Sequence, residues 1–176
     1  MEEHRYPIGR LSFVEEVTPA RRRDWIEEIR RAPALVREAV AGLDDAQLDT
    51  PYRDGGWTVR QVVHHLPDSH AHAYVRFRWT LTEEQPIIKD YDERAWAELP
   101  DARSAPVGPS LDLLDSLHAR WVLLLEAMSE ADFRRTLVHP DRGVVDLEVM
   151  LQIYAWHGRH HAAQVTSLRD RSGWNG

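Results

Sequence analysis

The chain contains no cysteine. That absence excludes disulfides, thiolate nucleophiles, iron–sulfur ligation and every cysteine-containing zinc site, so a bound metal must be held by nitrogen and oxygen. Lysine is nearly missing as well: of 22 Lys+Arg residues, Lys89 alone is lysine. A basic surplus is lacking, since 29 Asp+Glu outnumber those 22 and give a formal charge of −7, which argues against nucleic acid as the partner. The arginine cluster Arg21, Arg22, Arg23, Arg30 and Arg31 is interleaved with Asp24, Glu27 and Glu28 and reads as a solvated helix face. No run approaches the roughly 20 apolar residues needed to cross a bilayer. Residues 1–10 carry charges with no apolar stretch behind them, so no secretory signal is read, no membrane is expected and the cytoplasm is the default location.

What the chain does have is apolar material and histidine. With 176 residues, 43% hydrophobic and 29% charged, residues 1–176 are expected to form a single folded domain with a substantial core. Of its ten histidines, seven fall into two groups: His64, His65, His70 and His72, then His157, His160 and His161.

Residues 1–17 read as irregular. Thr18-Pro19 then opens a helix, Thr as N-cap and Pro at the first position, carrying Trp25, Ile26 and Ile29. Pro33 should break or kink it before Leu35, Val36, Ala39 and Val40 continue the period to Gly42. Thr58 with Gln61 three residues later forms a capping box for a second helix through Leu81, in which Pro67 should introduce a bend just after His64 and His65. Four prolines between Glu83 and Pro109 mark a long crossover loop, with a short helix expected around Glu93 to Leu99. A third helix starts at Ser110, and Asp146 caps a fourth running to about Arg171. Strand-like alternation is nearly absent apart from Val144-Val145. The expectation is all-α: a four-helix bundle with a long crossover.

In the last helix the apolar series Leu147, Met150, Leu151 and Tyr154 continues into His157 and His161, where leucine would be expected. Two imidazoles at i and i+4 project from one face within reach of one ion. The residue after His157 is Gly158, so the zinc-peptidase His-Glu-x-x-His base is absent. His160 falls on another face and reads as packing or as support for the ligand rings. Alternatively, the pair is simply two buried, hydrogen-bonded histidines. For a third ligand from the second helix, straight-helix phase favours His70, leaves His65 on the flank and turns His64 away; the phase is unreliable across Pro67, so His65 and His70 both stay open.

The segment Tyr52-Arg53-Asp54-Gly55-Gly56-Trp57-Thr58-Val59-Arg60-Gln61-Val62-Val63-His64-His65-Leu66, with Trp156-His157-Gly158-Arg159-His160-His161 near the end, resembles the DinB/YfiT-like family. The opening Tyr6-Pro7-Ile8-Gly9 and the stretch Tyr91-Asp92-Glu93-Arg94-Ala95-Trp96 extend the resemblance over nearly the whole chain. It implies a four-helix bundle with a three-histidine zinc or nickel site, selects His65 before Leu66 as the third ligand beside His157 and His161, and implies a homodimeric metal-dependent hydrolase. Related members are thiol S-transferases that use bacillithiol.

Three neutral imidazoles leave a divalent ion its full charge and an open position, where a water can be activated for hydrolysis or a thiol deprotonated for transfer. A thiol would have to come from a small cosubstrate, since the chain has none. A non-catalytic metal-binding bundle is the third reading. Candidate proton shuttles are Asp68 and Gln61, one turn either side of His65, and Tyr154, one turn before His157; each also has a plain structural role available. Arg53 and Asp54 either orient an anionic substrate or close their turn. Trp57 and Trp156, beside the histidine motifs, are expected to shape the pocket wall.

Overall fold

Capping chemistry sets the helix boundaries in the computed structural model, which describes residues 2–174. The helices are α1 (Glu2–Arg5), α2 (Pro19–Val40), α3 (Asp45–Leu48), α4 (Val59–Thr82), α5 (Glu93–Ala97), α6 (Pro100–Ser104), α7 (Gly108–Ala127), α8 (Glu130–Phe133) and α9 (Leu147–Ser172). Two strands, β1 (Thr136–His139) and β2 (Gly143–Asp146), form an antiparallel hairpin that pairs Leu137 with Val145. Thr18 accepts from the Arg21 amide, Thr58 and Gln61 form the expected reciprocal box, and Asp146 accepts from the Val149 amide.

Two expectations need correcting. The N-terminal stretch 1–17 is not wholly irregular, because α1 forms a helical turn there. The hairpin and the short helices α3, α6 and α8 lie in the connections between the long helices, where Val144-Val145 alone has a strand-like pattern. Pro33 and Pro67 both lie inside continuous helices, so of the two outcomes open at Pro33 the break does not occur. A proline inside a helix removes one N–H and frees the carbonyl four residues earlier; helix continuity survives when tertiary packing compensates, and for Pro33 the compensation is visible at the site.

The long helices α2, α4, α7 and α9 pack as a ring in which α2 and α4 each contact both α7 and α9. Two apolar clusters fill it. One gathers Ile29, Phe77, Trp121 and Leu151; the other gathers Val36, Val62, Leu114 and Val165. Along α2 and α9 the chain passes from the first cluster to the second, and along α4 and α7 it runs the other way. The topology is therefore up, down, down, up, and the parallel pair α4 and α7 requires a connection that travels back along the bundle. Residues 83–107 are that connection, with α5 and α6 laid against α4. Between the two clusters lies a layer of imidazoles from α4, α7 and α9.

Candidate metal centre

His65 on α4 and His157 and His161 on α9 converge through their Nε2 atoms. His157 Nε2 lies 3.4 Å from His65 Nε2 and 3.2 Å from His161 Nε2. Nitrogens held at about 2.0–2.1 Å by a tetrahedral ion would sit about 3.3–3.4 Å apart, so the spacing suits one shared cation.

The other ring nitrogens decide what these Nε2 atoms offer. His118 on α7 approaches Ile29 O at 2.6 Å through Nδ1. Ile29 is four residues before Pro33, whose missing N–H leaves that carbonyl without its helical donor. A carbonyl only accepts, so His118 carries its proton on Nδ1 and its Nε2 must accept. His70 Nδ1 then donates to His118 Nε2 at 2.7 Å, and His157 Nδ1 donates to His70 Nε2 at 2.9 Å. His157 Nε2 is left as a bare lone pair facing the cluster. The chain is neutral because burial disfavours imidazolium, pushing His118 down to about 4 and holding His70 and His157 well below the ordinary histidine value.

A second carbonyl fixes His161. Gln164 Nε2 donates to Arg5 O at the end of α1 (2.9 Å) and to His160 Nε2 (3.0 Å). The amide oxygen therefore faces His161 Nδ1, which donates to it at 2.9 Å. His161 Nε2 is likewise a lone pair. Burial pushes His161 down to about 4. His157 and His161 thus oppose two acceptors at 3.2 Å with no proton to share, a repulsive contact that a cation between them makes attractive. For His65, Tyr91 Oη lies 3.4 Å from Nδ1, and donation to that oxygen leaves Nε2 free in the same way.

The cluster opens on a cavity of about 600 Å³ lined also by Trp57, Ser69, Arg76, Tyr91 and Tyr154. Of the expected shuttles, Tyr154 lines the cavity, and burial raises its phenol pKa, so at neutral pH it is an O–H donor. Asp68 is not among the lining residues; burial raises its carboxyl to about 6. Gln61 uses its amide at the helix cap and on Ala97 O at 2.7 Å. Arg53 donates to Asp54 O and to Tyr52 Oη, closing the turn. Trp57 forms cavity wall, whereas Trp156 stacks on His160 with centroids 4.1 Å apart. His70, the phase-based alternative, lies behind His157, its two nitrogens engaged by His157 and His118.

Sequence reasoning passed over three contributors. His118 continues the apolar series Leu111, Leu114, Trp121, Leu125 of α7, a core position held by a polar residue. Gly158 is required by close approach: a Cβ there would lie 2.6 Å from Ala32 Cβ. Arg76 is buried on the cavity wall beside Phe77. Their signal was a break in each stripe, readable only once the facing helix was known.

Fold and cluster define a class, a four-helix bundle with three imidazoles converging at a cavity. Residues 28–165 match the DinB superfamily, and the chain belongs to it. It is 47% identical to the solved structure of YfiT from Bacillus subtilis, described as a probable metal-dependent hydrolase with an unusual four-helix bundle topology, over 98% of this chain and 99% of that one, with a TM-score of 0.95. It is 51% identical over 174 residues to a protein of Bacillus mycoides named "Putative metal-dependent hydrolase", covering 99% of this chain and all of that one. A protein of the same name from Geobacillus thermodenitrificans is 52% identical over 172 residues, covering 97% and 96% of the two chains. The mycothiol-dependent maleylpyruvate isomerase shares the fold at 16% identity and a TM-score of 0.55, over 82% of this chain and 60% of that one. Among the described residues no helix is long and apolar enough to cross a membrane.

Proposed function

We propose that the protein is a metal-dependent hydrolase acting on a small-molecule ester or amide, with one divalent ion, zinc or nickel, held by His65, His157 and His161. The observation that carries this reading is the opposition of the His157 and His161 lone pairs at 3.2 Å, with His65 Nε2 beside them and a cavity in front. An ion bound by three neutral imidazoles supplies Lewis acidity and brings a water pKa toward about 7.

The chain's own residues perform the remaining tasks. His70, His118 and Gln164 keep the ligand rings in the tautomer that presents Nε2. Tyr154 and Tyr91, held protonated by burial, offer hydroxyls on the cavity side; a hydroxyl placed there stabilises negative charge that develops on a substrate oxygen. Trp57, its ring centroid 4.8 Å from that of His65, closes one side against water.

Metal analysis of the purified chain, followed by assay on phenyl acetate and on an anilide, tests the reading. Expected are about one equivalent of metal and turnover that a chelator abolishes. Conjugation of bacillithiol to an electrophile without hydrolysis of either substrate would overturn hydrolysis in favour of thiol transfer. Stoichiometric metal with neither activity would leave a non-catalytic metal-binding bundle. The homodimer belongs to the same proposal and is tested by sedimentation at twice the chain mass.

A further inference from the structure

Three arginines are buried among the described residues: Arg22, Arg60 and Arg76. A buried guanidinium costs several kcal/mol unless its donors are matched. Arg22 is matched by a fork on Glu148, with contacts of 2.6 and 3.0 Å. Arg60 reaches Asp49 at 2.6 Å, Asp45 at 2.9 Å and Ala105 O at 2.9 Å. Both tie structural elements together.

Arg76 differs. It is 4% exposed, yet Nη2 carries its hydrogen bonds to backbone and carboxylate, to Lys89 O at 3.0 Å and to one oxygen of the half-buried Asp90 at 3.1 Å, with the Tyr154 hydroxyl as a further neighbour on the cavity side. Its Nε is buried without a partner among the described residues. Of the three buried arginines it is the one on the wall of the cavity that holds the imidazole cluster.

Asp90, His139 and Asp141, in the same cavity, lie close enough together to suggest a second cation. The protons argue otherwise. His139 Nδ1 accepts from the Asp141 amide at 3.2 Å, which places its hydrogen on Nε2 and makes that atom a donor. Arg76, already on Asp90, and Arg142 add positive charge to the same wall. An incompletely paired guanidinium and an N–H donor suit an incoming oxyanion, and carboxylate is the group whose two oxygens match a guanidinium fork.

We propose that Arg76 anchors a carboxylate of the substrate, so that the natural substrate is an anionic small molecule whose reacting group points at the histidine cluster. The inference rests on the hydrolase reading for the identity of that reacting group; the anchor itself is tested without turnover.

The test is calorimetric titration of the full chain, carrying its metal, with glutarate. Wild type is expected to bind, Arg76→Gln to bind at least tenfold more weakly, and Arg76→Lys, which keeps the charge but loses the fork, to fall between. Metal content and far-ultraviolet circular dichroism verify folding. If Arg76→Gln does not fold, Arg76→Lys decides, with at least a threefold loss expected. No binding by wild type, or equal binding by wild type and a folded variant, overturns the proposal. Failure of the hydrolase reading shows separately, as no turnover of the uncharged phenyl acetate by wild type.

Discussion

The imidazole layer has a closed side and an open side. On the closed side, facing α2 and α7, His70 and His118 have both ring nitrogens bonded to protein, and Gly158 lets α9 approach Ala32. On the open side His65 and His161 have one nitrogen tied and one turned to the cluster. All four are buried. Burial therefore does not separate a candidate ligand from a supporting histidine; what separates them is whether a carbonyl, directly or through another imidazole, has used both nitrogens.

His157 belongs to both sides, so removing it should have the largest effect. His157→Ala is expected to weaken zinc binding by at least about 100-fold in a competition titration against a chromophoric chelator, consistent with loss of one of three ligands. Hydrolysis should fall with it. Retention of one equivalent at wild-type affinity would erase the distinction between the sides.

The closed side depends on tight packing. Gly158→Ala gains helix propensity of up to about 1 kcal/mol but drives a methyl to within 2.6 Å of Ala32 Cβ, which is fixed to its own backbone. Overpacking should win, with a net loss of about 1–3 kcal/mol in urea denaturation. A stabilised variant would show that α2 and α9 can separate at no cost.

How far the two sides were legible in the sequence follows from the range of the interactions. Thr58 with Gln61 and Asp146 are local devices whose partner lies three residues away, so they could be read directly. The pair His157 and His161 was visible because i and i+4 share a helix face. The support was not visible: Ile29 O reaches His118 across 89 positions, and Arg5 O reaches Gln164 across 159. Pro33 is the instructive case. Local reasoning treats its missing N–H as a defect that should break or kink the helix. In the bundle that defect frees the carbonyl that orients a chain of three imidazoles. The phase argument favoured His70 and left His65 open; it located residues of the layer without dividing them between the two sides, because periodicity gives a face but not which ring nitrogens are already bonded.

His118→Leu probes the long-range support while leaving the cluster's own residues in place. It removes the acceptor for His70 Nδ1–H, so the tautomer of His157 is no longer dictated. A drop of about tenfold in zinc affinity is expected, accompanied by a change in the nitrogen-15 shifts of His157 in the metal-free chain. Unchanged shifts and affinity would mean the ring orientation is set by packing alone.

Asp68 supplies the smallest effect and sharpens the comparison, because it lies on α4, one turn after His65, yet outside the cavity lining. Its carboxyl is raised to about 6, first by burial and then by Asp101. A carboxyl whose folded pKa exceeds its unfolded value binds more protons when folded, so its contribution to stability declines as pH rises from about 4 through 6. Above that window the ionised group is a liability that Asp68→Asn removes. The full shift would correspond to roughly 3 kcal/mol; because the group is only half-buried, solvent screening reduces the expected gain to about 1 kcal/mol at pH 8, shrinking as pH falls and vanishing below about pH 3. Hydrolysis at pH 8 should be unaffected. Loss of turnover with no change in stability would instead place Asp68 in the chemistry of the open side.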